Sequence, residues 1–488
     1  MTGQSKESHE AGGRRGECVV MKFGGTSVED ATAIRRVSQL VKRRLRHPPV
    51  VVVSALGGVT DQLLNAAKSA AGGSLEPARE AVRHLRQRHQ TVASELVEKK
   101  QYECLWAELE PAFDMLDSLL DEIAAAGALL PQVQDRFLGV GEYLSSKVLH
   151  AALLRAGFDV TWVDSKQCLV TDEVHTHATP LWEETTERVR TVLLPLLHSG
   201  QVPVLGGFVG ATRDGVPTTL GRGGSDCSAA TIGVVLNARR IEIWTDVDGV
   251  MTTDPDLCAE AIRITSMSFN EAAELAHFGA KVLHPATIAP AMQHNIPVWV
   301  LNSRNSESGG TEITAHTREN GRVKAITTKP GVAVFEIEPS RRLRPDLLRQ
   351  VFDIFERHQF SLEVLSASHS SLSLVMSAGG DLPAVAQKLG ELAKVRWESH
   401  KALICLVGEK IARSPEIASQ VLHAIADLEI RLICQGASER NISFVVDESR
   451  AEEAVRRLHE LLFPVGARAG THPAPAVYQP AAPARTTA

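Results

Sequence analysis

The feature that most restricts the fold is a repeat towards the C-terminal end. The stretch "QVFDIFERHQFSLEVLSASHSSLSLVM", Gln350 to Met376, aligns without a gap on "QVLHAIADLEIRLICQGASERNISFVV", Gln420 to Val446. Val351 falls on Val421, Ala367 on Ala437, Ser368 on Ser438, Ser373 on Ser443 and Val375 on Val445. A duplicated segment must build the same unit twice. Each copy reads strand, helix, strand, strand, helix, with a further strand to close it, which is the ferredoxin-like βαββαβ pattern. Pro345 suits the first turn of its helix, and Leu347, Leu348, Val351, Ile354 and Phe355 give that helix one apolar face.

Upstream the texture differs. "VVMKF", "PVVVVSAL", "FDVTWVD", "VPVLGGFVG", "RIEIWTDV" and "IPVWVLN" are strand-like, several of them apolar at consecutive positions. Strands buried on both faces read this way, so an α/β fold is predicted: a mainly parallel open sheet with helices on both faces. Residues 61–156 are long, amphipathic and strand-poor, a helical excursion over one side of that sheet. "SRNSESGGTEIT" reads as a polar linker to the repeat. The expected division is a polar tail at 1–17, an α/β domain at 18–316, repeat modules at 317–400 and 401–465, and an Ala/Pro-rich tail at 466–488, both tails being disordered.

At 488 residues the chain needs more than one core. Its net charge of −6 gives no general pull towards nucleic acid or anionic lipid, and neither is expected as a partner. The basic run "VKRRLRHPP" reads as a helix C-terminus stopped by prolines. Seven scattered cysteines without a C-x-x-C pair suit a reducing cytoplasm, the expected location, and no apolar run is long enough to span a bilayer.

Four stretches carry the chemistry. In "VVMKFGGTSVED" a strand-end lysine, Lys22, meets Gly24 and Gly25. Backbone amides can approach an anion there, and Thr26 or Ser27 is expected to open a helix whose N-terminus favours negative charge. "TTLGRGGSDCSAA" offers a second glycine loop with Arg222, then Ser225 and Asp226 at a helix mouth. It departs from the dinucleotide fingerprint because Asp226 stands where a third glycine belongs, and the chain has no Walker motif. "EIWTDVDGVMTTDP" sets Thr245, Asp246 and Asp248 at the C-terminal end of a strand, where open α/β sheets bind ligands. "HFGAKVLHPATI" carries Lys281 on a helix. Asp172, His175 and His177 lack a nearby partner at zinc-type spacing and read as a surface loop, so no protein-held metal is expected.

In this order, "KFGGTSV", "GRGGSD", "WTDVDGVMTTDP" and "FGAKVLHP", followed by the doubled module, resemble the aspartokinases of the amino-acid kinase family, whose tail modules are ACT domains. "GVGEYLSSKVL" from Gly139 and the helical excursion are most similar to the lysine-sensitive, single-function class, and the resemblance spans about residues 18–465. It implies that Lys22, Asp226 and Lys281 are catalytic, and that Ser54, Thr60, Glu142, Arg222, Gly223, Gly224 and Ser225 hold aspartate. It further implies that Lys22, Phe23, Gly24, Gly25, Thr245, Asp246, Lys281 and Val282 border ATP with its Mg2+. Met251 and Asp256 flank the nucleotide too, although a tyrosine and an arginine are common there. Ser361, Glu363, Ser368 and His369 match the effector site, with His369 where a glutamate is usual and Arg341 and Arg344 adding positive charge. Lysine feedback that is weak, altered or absent is the expectation, with lysine or threonine as candidate effectors. Assembly as a homodimer or homotetramer through the ACT domains is implied as well.

The residue types suit the reaction. A side-chain carboxylate with a pKa of about 3.9 is already ionised at neutral pH, so phosphoryl transfer to it needs charge neutralisation and no general base. Arg222 can grip a carboxylate with a guanidinium fork and Glu142 can pair with an ammonium. The rival readings are a catalytically silent amino-acid sensor and a family member acting on glutamate or a nucleotide. A fusion to homoserine dehydrogenase is not expected, since only a short tail follows the second module.

Overall fold

The computed structural model describes residues 16–464 apart from 280–284, 316, 318–320, 340–342 and 378–379. Lys281, Val282 and Arg341, and nearly all of both tails, lie outside the described residues.

The first half is built on strands β1 (Val19–Phe23), β2 (Pro49–Val53), β3 (Val160–Trp162), β4 (Val202–Gly206), the hairpin pair β5 (Val209–Ala211) and β6 (Pro217–Thr219), β7 (Arg240–Thr245), β8 (Ser266–Ser268), β9 (Val298–Asn302) and β10 (Thr311–Thr314). Eight of them form one sheet in the order β3-β4-β2-β1-β7-β9-β10-β8, parallel except where β10 meets β9. All residues of β1 and β2 are buried, as consecutive apolar runs require. The polar linker is shorter than its sequence suggests. Thr311 and Ile313 are buried in β10, so "TEIT" adds a strand to the sheet where alternation overrides its polarity.

Alternate residues of the central strands face two cores. Val19, Met21, Phe23, Val51 and Val53 pack under the helical excursion together with α1 (Ala31–Lys42). The excursion itself comprises α2 (Val59–Ala71), α3 (Leu75–Leu96), α4 (Lys99–Ala126), α5 (Pro131–Leu138) and α6 (Val140–Arg155). Val20, Val50 and Val52 face α7 (Trp182–His198), α8 (Gly224–Val235), α9 (Phe269–His277) and α10 (Pro285–Gln293). Lys22 shares the parity of Val20 and so turns towards α8.

The second half runs β11 (Ala325–Glu338), α11 (Pro345–Arg357), β12 (Leu362–Ala367), β13 (Leu372–Ser377), α12 (Leu382–Gly390), β14 (Lys394–Val407), α13 (Pro415–Ala424), β15 (Leu432–Gln435), β16 (Asn441–Asp447) and α14 (Ala451–Leu462). Its strands form one six-stranded sheet in the order β12-β13-β11-β14-β16-β15. The sheet does not divide at residue 400, because β14 runs through it. The later part of β14 opens the second unit, while its start pairs with the later part of β11 and closes the first. The second unit is closed from ahead of the first: Ala325 to Lys329 pair antiparallel with Leu403 to Val407. The first unit is thus inserted into the second, and the downstream closing strand expected from the repeat does not occur among the described residues.

Candidate active site

The first glycine pair does not open a helix directly. Gly25 to Ser27 form a single 3-10 turn, and α1 begins only at Ala31, with Asp30 accepting the Ala33 N–H at 2.7 Å. The cap expected at Thr26 or Ser27 is therefore at Asp30, because Ser27 is buried and its hydroxyl donates to Ser303 Oγ at 2.8 Å. What the glycines permit is close approach. The Gly24 N–H donates to Trp244 O at 3.0 Å, and a Cβ on Gly25 would fall 3.1 Å from Ala55 O.

The second glycine loop is wound more tightly. Gly221 and Gly223 take φ of +72° and +74°, and a Cβ on Gly224 would fall 2.6 Å from the Phe208 ring. This packing starts α8 so that Asp226, in its first turn, meets Lys22: Nζ and Oδ1 are 2.5 Å apart, with side chains 11% and 15% exposed. Residues from distant parts of the chain come together here. Lys22, Ser54, Thr60, Glu142, Arg222, Gly223, Gly224, Ser225 and Asp226 line one cleft of about 700 Å³ beside the C-terminal ends of β1 and β2.

Glu142 lies in the first turn of α6, and a Cβ on Gly206 would fall 2.9 Å from its carbonyl oxygen. Burial pushes its carboxyl up to about 8, against the opposing pull of backbone hydrogen bonds and the Lys22 charge. Its Oε2 has no hydrogen-bond partner among the described residues. Arg222 is exposed, with no ion pair holding its guanidinium among the described residues. The cleft therefore joins a lysine-carboxylate pair, an open guanidinium and a desolvated carboxyl, a set matched to a small zwitterionic acid.

The remaining expected residues lie elsewhere. Thr245 ends β7, the neighbour of β1, and Asp246 follows it, with the Thr245 hydroxyl donating to Asp246 Oδ1 at 3.1 Å. Asn302 Nδ2 donates to Asp246 O at 3.3 Å and to Asp248 Oδ1 at 2.7 Å, fixing this strand end. Met251 forms an isolated bridge to Arg263, and Asp256 is exposed, its N–H bonded to Asp254 Oδ1 at 3.0 Å. None of these four lines the cleft. Phe23 is fully buried and stacks on Trp244 with ring centroids 6.0 Å apart, so its side chain belongs to the core.

Among the effector candidates, Glu363 is already engaged. Its Oε1 lies 2.6 Å from Lys329 Nζ and accepts the Ser377 hydroxyl at 2.8 Å. Ser368 caps its own turn, accepting from the Ser370 and Ser371 N–H groups, while Ser361 and His369 are exposed. In the second copy the equivalent Ser438 instead donates to Glu274 Oε1 of α9 at 2.6 Å. The 172–177 stretch, which reads in the sequence as a surface loop, reaches the cleft. Thr176 and His177 line the cleft, and His175 is nearly buried against Asp135.

These features define a phosphotransferase-type site at the C-terminal edge of a parallel sheet, and the amino acid kinase family model matches residues 17–302. An ACT domain model matches residues 404–462. The chain belongs to the amino acid kinase family, and within it to the aspartokinases. It is 33% identical to lysine-sensitive aspartokinase 3 of Escherichia coli over 92% of this chain and 99% of that one. It is likewise 33% identical to chloroplastic aspartokinase 1 of Arabidopsis thaliana, over 93% of this chain and 81% of that one. Its structure is similar to E. coli aspartokinase III in complex with aspartate and ADP, with a TM-score of 0.79 and 32% identity over 91% of this chain and all of the other. The lysine and aspartate complex of the same E. coli enzyme gives a TM-score of 0.77 at 32% identity, over 92% of this chain and all of the other.

Proposed function

We propose that this chain is an aspartate kinase, transferring the γ-phosphoryl of ATP to the side-chain carboxylate of aspartate. The observation that carries this reading is the cleft itself. A carboxylate gripped by Arg222, with its ammonium towards Glu142, can present the other carboxylate to the Lys22–Asp226 pair. The nucleophile is ionised on arrival, so the barrier is repulsion between two anions plus charge spreading on the transferred group. Lys22 and the amides of the glycine turn act on both. Thr245 and Asp246 border the nucleotide on the adjoining strand.

No group of three or more His, Cys, Asp or Glu side chains that could cage a metal exists among the described residues. Mg2+ held mainly by phosphates and water asks the protein for one or two carboxylates, and Asp226 fits that demand. When bound with ATP, the ion would neutralise phosphate charge.

The kinase is proposed to be feedback-regulated through its ACT modules. Glu363 is occupied by Lys329 and His369 is not acidic, so an effector ammonium finds few anionic partners; weakened or altered lysine response follows. Assembly as a homodimer or homotetramer is proposed through the second-half sheet, whose outer strands β12 and β15 each have a single neighbour.

A coupled ADP-release assay with and without aspartate tests the activity. The wild-type chain should release ADP only with aspartate, and Lys22→Ala should lower kcat by about 10²–10³ with a much smaller change in KM for aspartate. ADP release with glutamate or a nucleotide alone would favour another member of the family. No turnover with any of them would leave an amino-acid sensor.

A further inference from the structure

The turn over the cleft holds a conformation that its own sequence disfavours. Thr176 takes φ +70°, the left-handed region that a β-branched residue rarely enters. One side chain holds it there. The Thr176 N–H donates to both carboxylate oxygens of Asp135, at 3.0 and 3.1 Å. His175 Nδ1 lies 2.6 Å from Oδ2, and the Thr219 hydroxyl donates to Oδ1 at 2.5 Å. Asp135, in α5, is 1% exposed, so these contacts stand in for water around its side chain. Backbone strain of this kind persists only where the surroundings over-determine it, and it gathers at working sites.

The turn is wedged against the loop that carries Arg222. A Cβ on Gly221 would fall 3.0 Å from Thr176 O and 3.1 Å from the His177 ring. Thr176, His177, Thr219 and Arg222 all line the cleft. None of the hydrogen bonds of Asp135 reaches Lys22 or Asp226, which pair with each other.

We propose that Asp135 is a positioning residue for the aspartate subsite: by holding the strained 175–177 turn against Gly221 it fixes the Arg222 loop and so sets aspartate affinity. The inference rests on the reading of the cleft as the aspartate subsite. A carboxylate suits this place because the Thr176 N–H donates to both of its oxygens; an amide would turn an N–H₂ towards that donor or towards His175.

Steady-state kinetics of the full chain test this. Asp135→Asn should raise KM for aspartate about tenfold while kcat stays within about threefold and KM for ATP is unchanged. Thr176→Gly supplies a reference background whose own KM is measured first, because glycine adopts a positive φ without support. In that background, Asp135→Asn should cost less than about threefold in KM. If Asp135→Asn does not fold, His175→Phe, which removes one donor and keeps a ring, should raise KM for aspartate about threefold. An unchanged KM in either Asp135→Asn or His175→Phe overturns the positioning role, as does an equal KM penalty for Asp135→Asn in both backgrounds. A wild-type chain without aspartate-dependent turnover overturns the reading of the cleft itself; a working enzyme indifferent to these changes overturns only the role of Asp135.

Discussion

Glu142 is the side chain whose protonation most affects what the cleft can hold. Burial raises its pKa to about 8, so near neutrality it is mostly a neutral carboxyl, which cannot pair with an ammonium as a charge. KM for aspartate should therefore fall about five- to tenfold as pH rises from about 7 to about 8.5, and Glu142→Gln should flatten that slope. A KM that rises with pH would contradict the pairing. The same shift has a stability sign. The folded chain keeps a proton that the unfolded chain loses, so this group favours folding less as pH climbs from its ordinary value of 4.5 through about 8. At this scale the sequence was legible where chemistry sits beside glycine. Lys22, Arg222 and Asp226 each stand in or beside a glycine loop that has little purpose except close approach. Asp135 was not legible, since "PQVQDRFL" reads as an ordinary amphipathic helix with a surface acid. Its partners His175, Thr176 and Thr219 lie 40, 41 and 84 residues away in sequence, and only the fold brings them to it.

Among the elements, the doubled module was the easiest to read, and its connectivity the hardest. An alignment of Gln350 to Met376 on Gln420 to Val446 establishes that a unit occurs twice, but says nothing about which copy a strand joins. Ala325 to Lys329 close the second unit because their ladder partners are Leu403 to Val407. A fragment of residues 394–464 should consequently lack cooperative thermal unfolding by circular dichroism, with β14 left open along half its length. Joining residues 323–331 ahead of it should restore a cooperative transition. Equal behaviour of the two fragments would mean that the exchanged strand contributes little. The misread "TEIT" has a similar origin, since four residues carry too little periodicity to compete with the glycines and serines before them.

Across the whole molecule the two halves are joined by specific polar contacts. Glu274 of α9 accepts from Ser438 and from Asn441 Nδ2 at 2.8 Å, and the Glu409 N–H donates to Glu271 Oε1 at 3.0 Å. On the other side Thr252 Oγ1 lies 2.8 Å from His459 Nε2 of α14. The second module is thus bound to the catalytic half through polar contacts, while Ser368, the first module's counterpart of Ser438, lies exposed and caps its own turn. Lysine and threonine titrations of initial rate, run beside light scattering of the same samples, test the regulatory reading. Lysine should inhibit weakly and the mass should correspond to two or four chains. Strong inhibition by lysine alone would contradict the altered effector site, and a monomeric mass would contradict assembly through the sheet edges. The inserted arrangement of the modules also orders events during synthesis. Ala325 leaves the ribosome well before Val407, its partner, and at about 5–20 residues per second that strand waits on the order of ten seconds. Throughout that interval the nascent catalytic half must persist without its regulator, so a newly made chain should gain the means to act before it gains the means to be restrained.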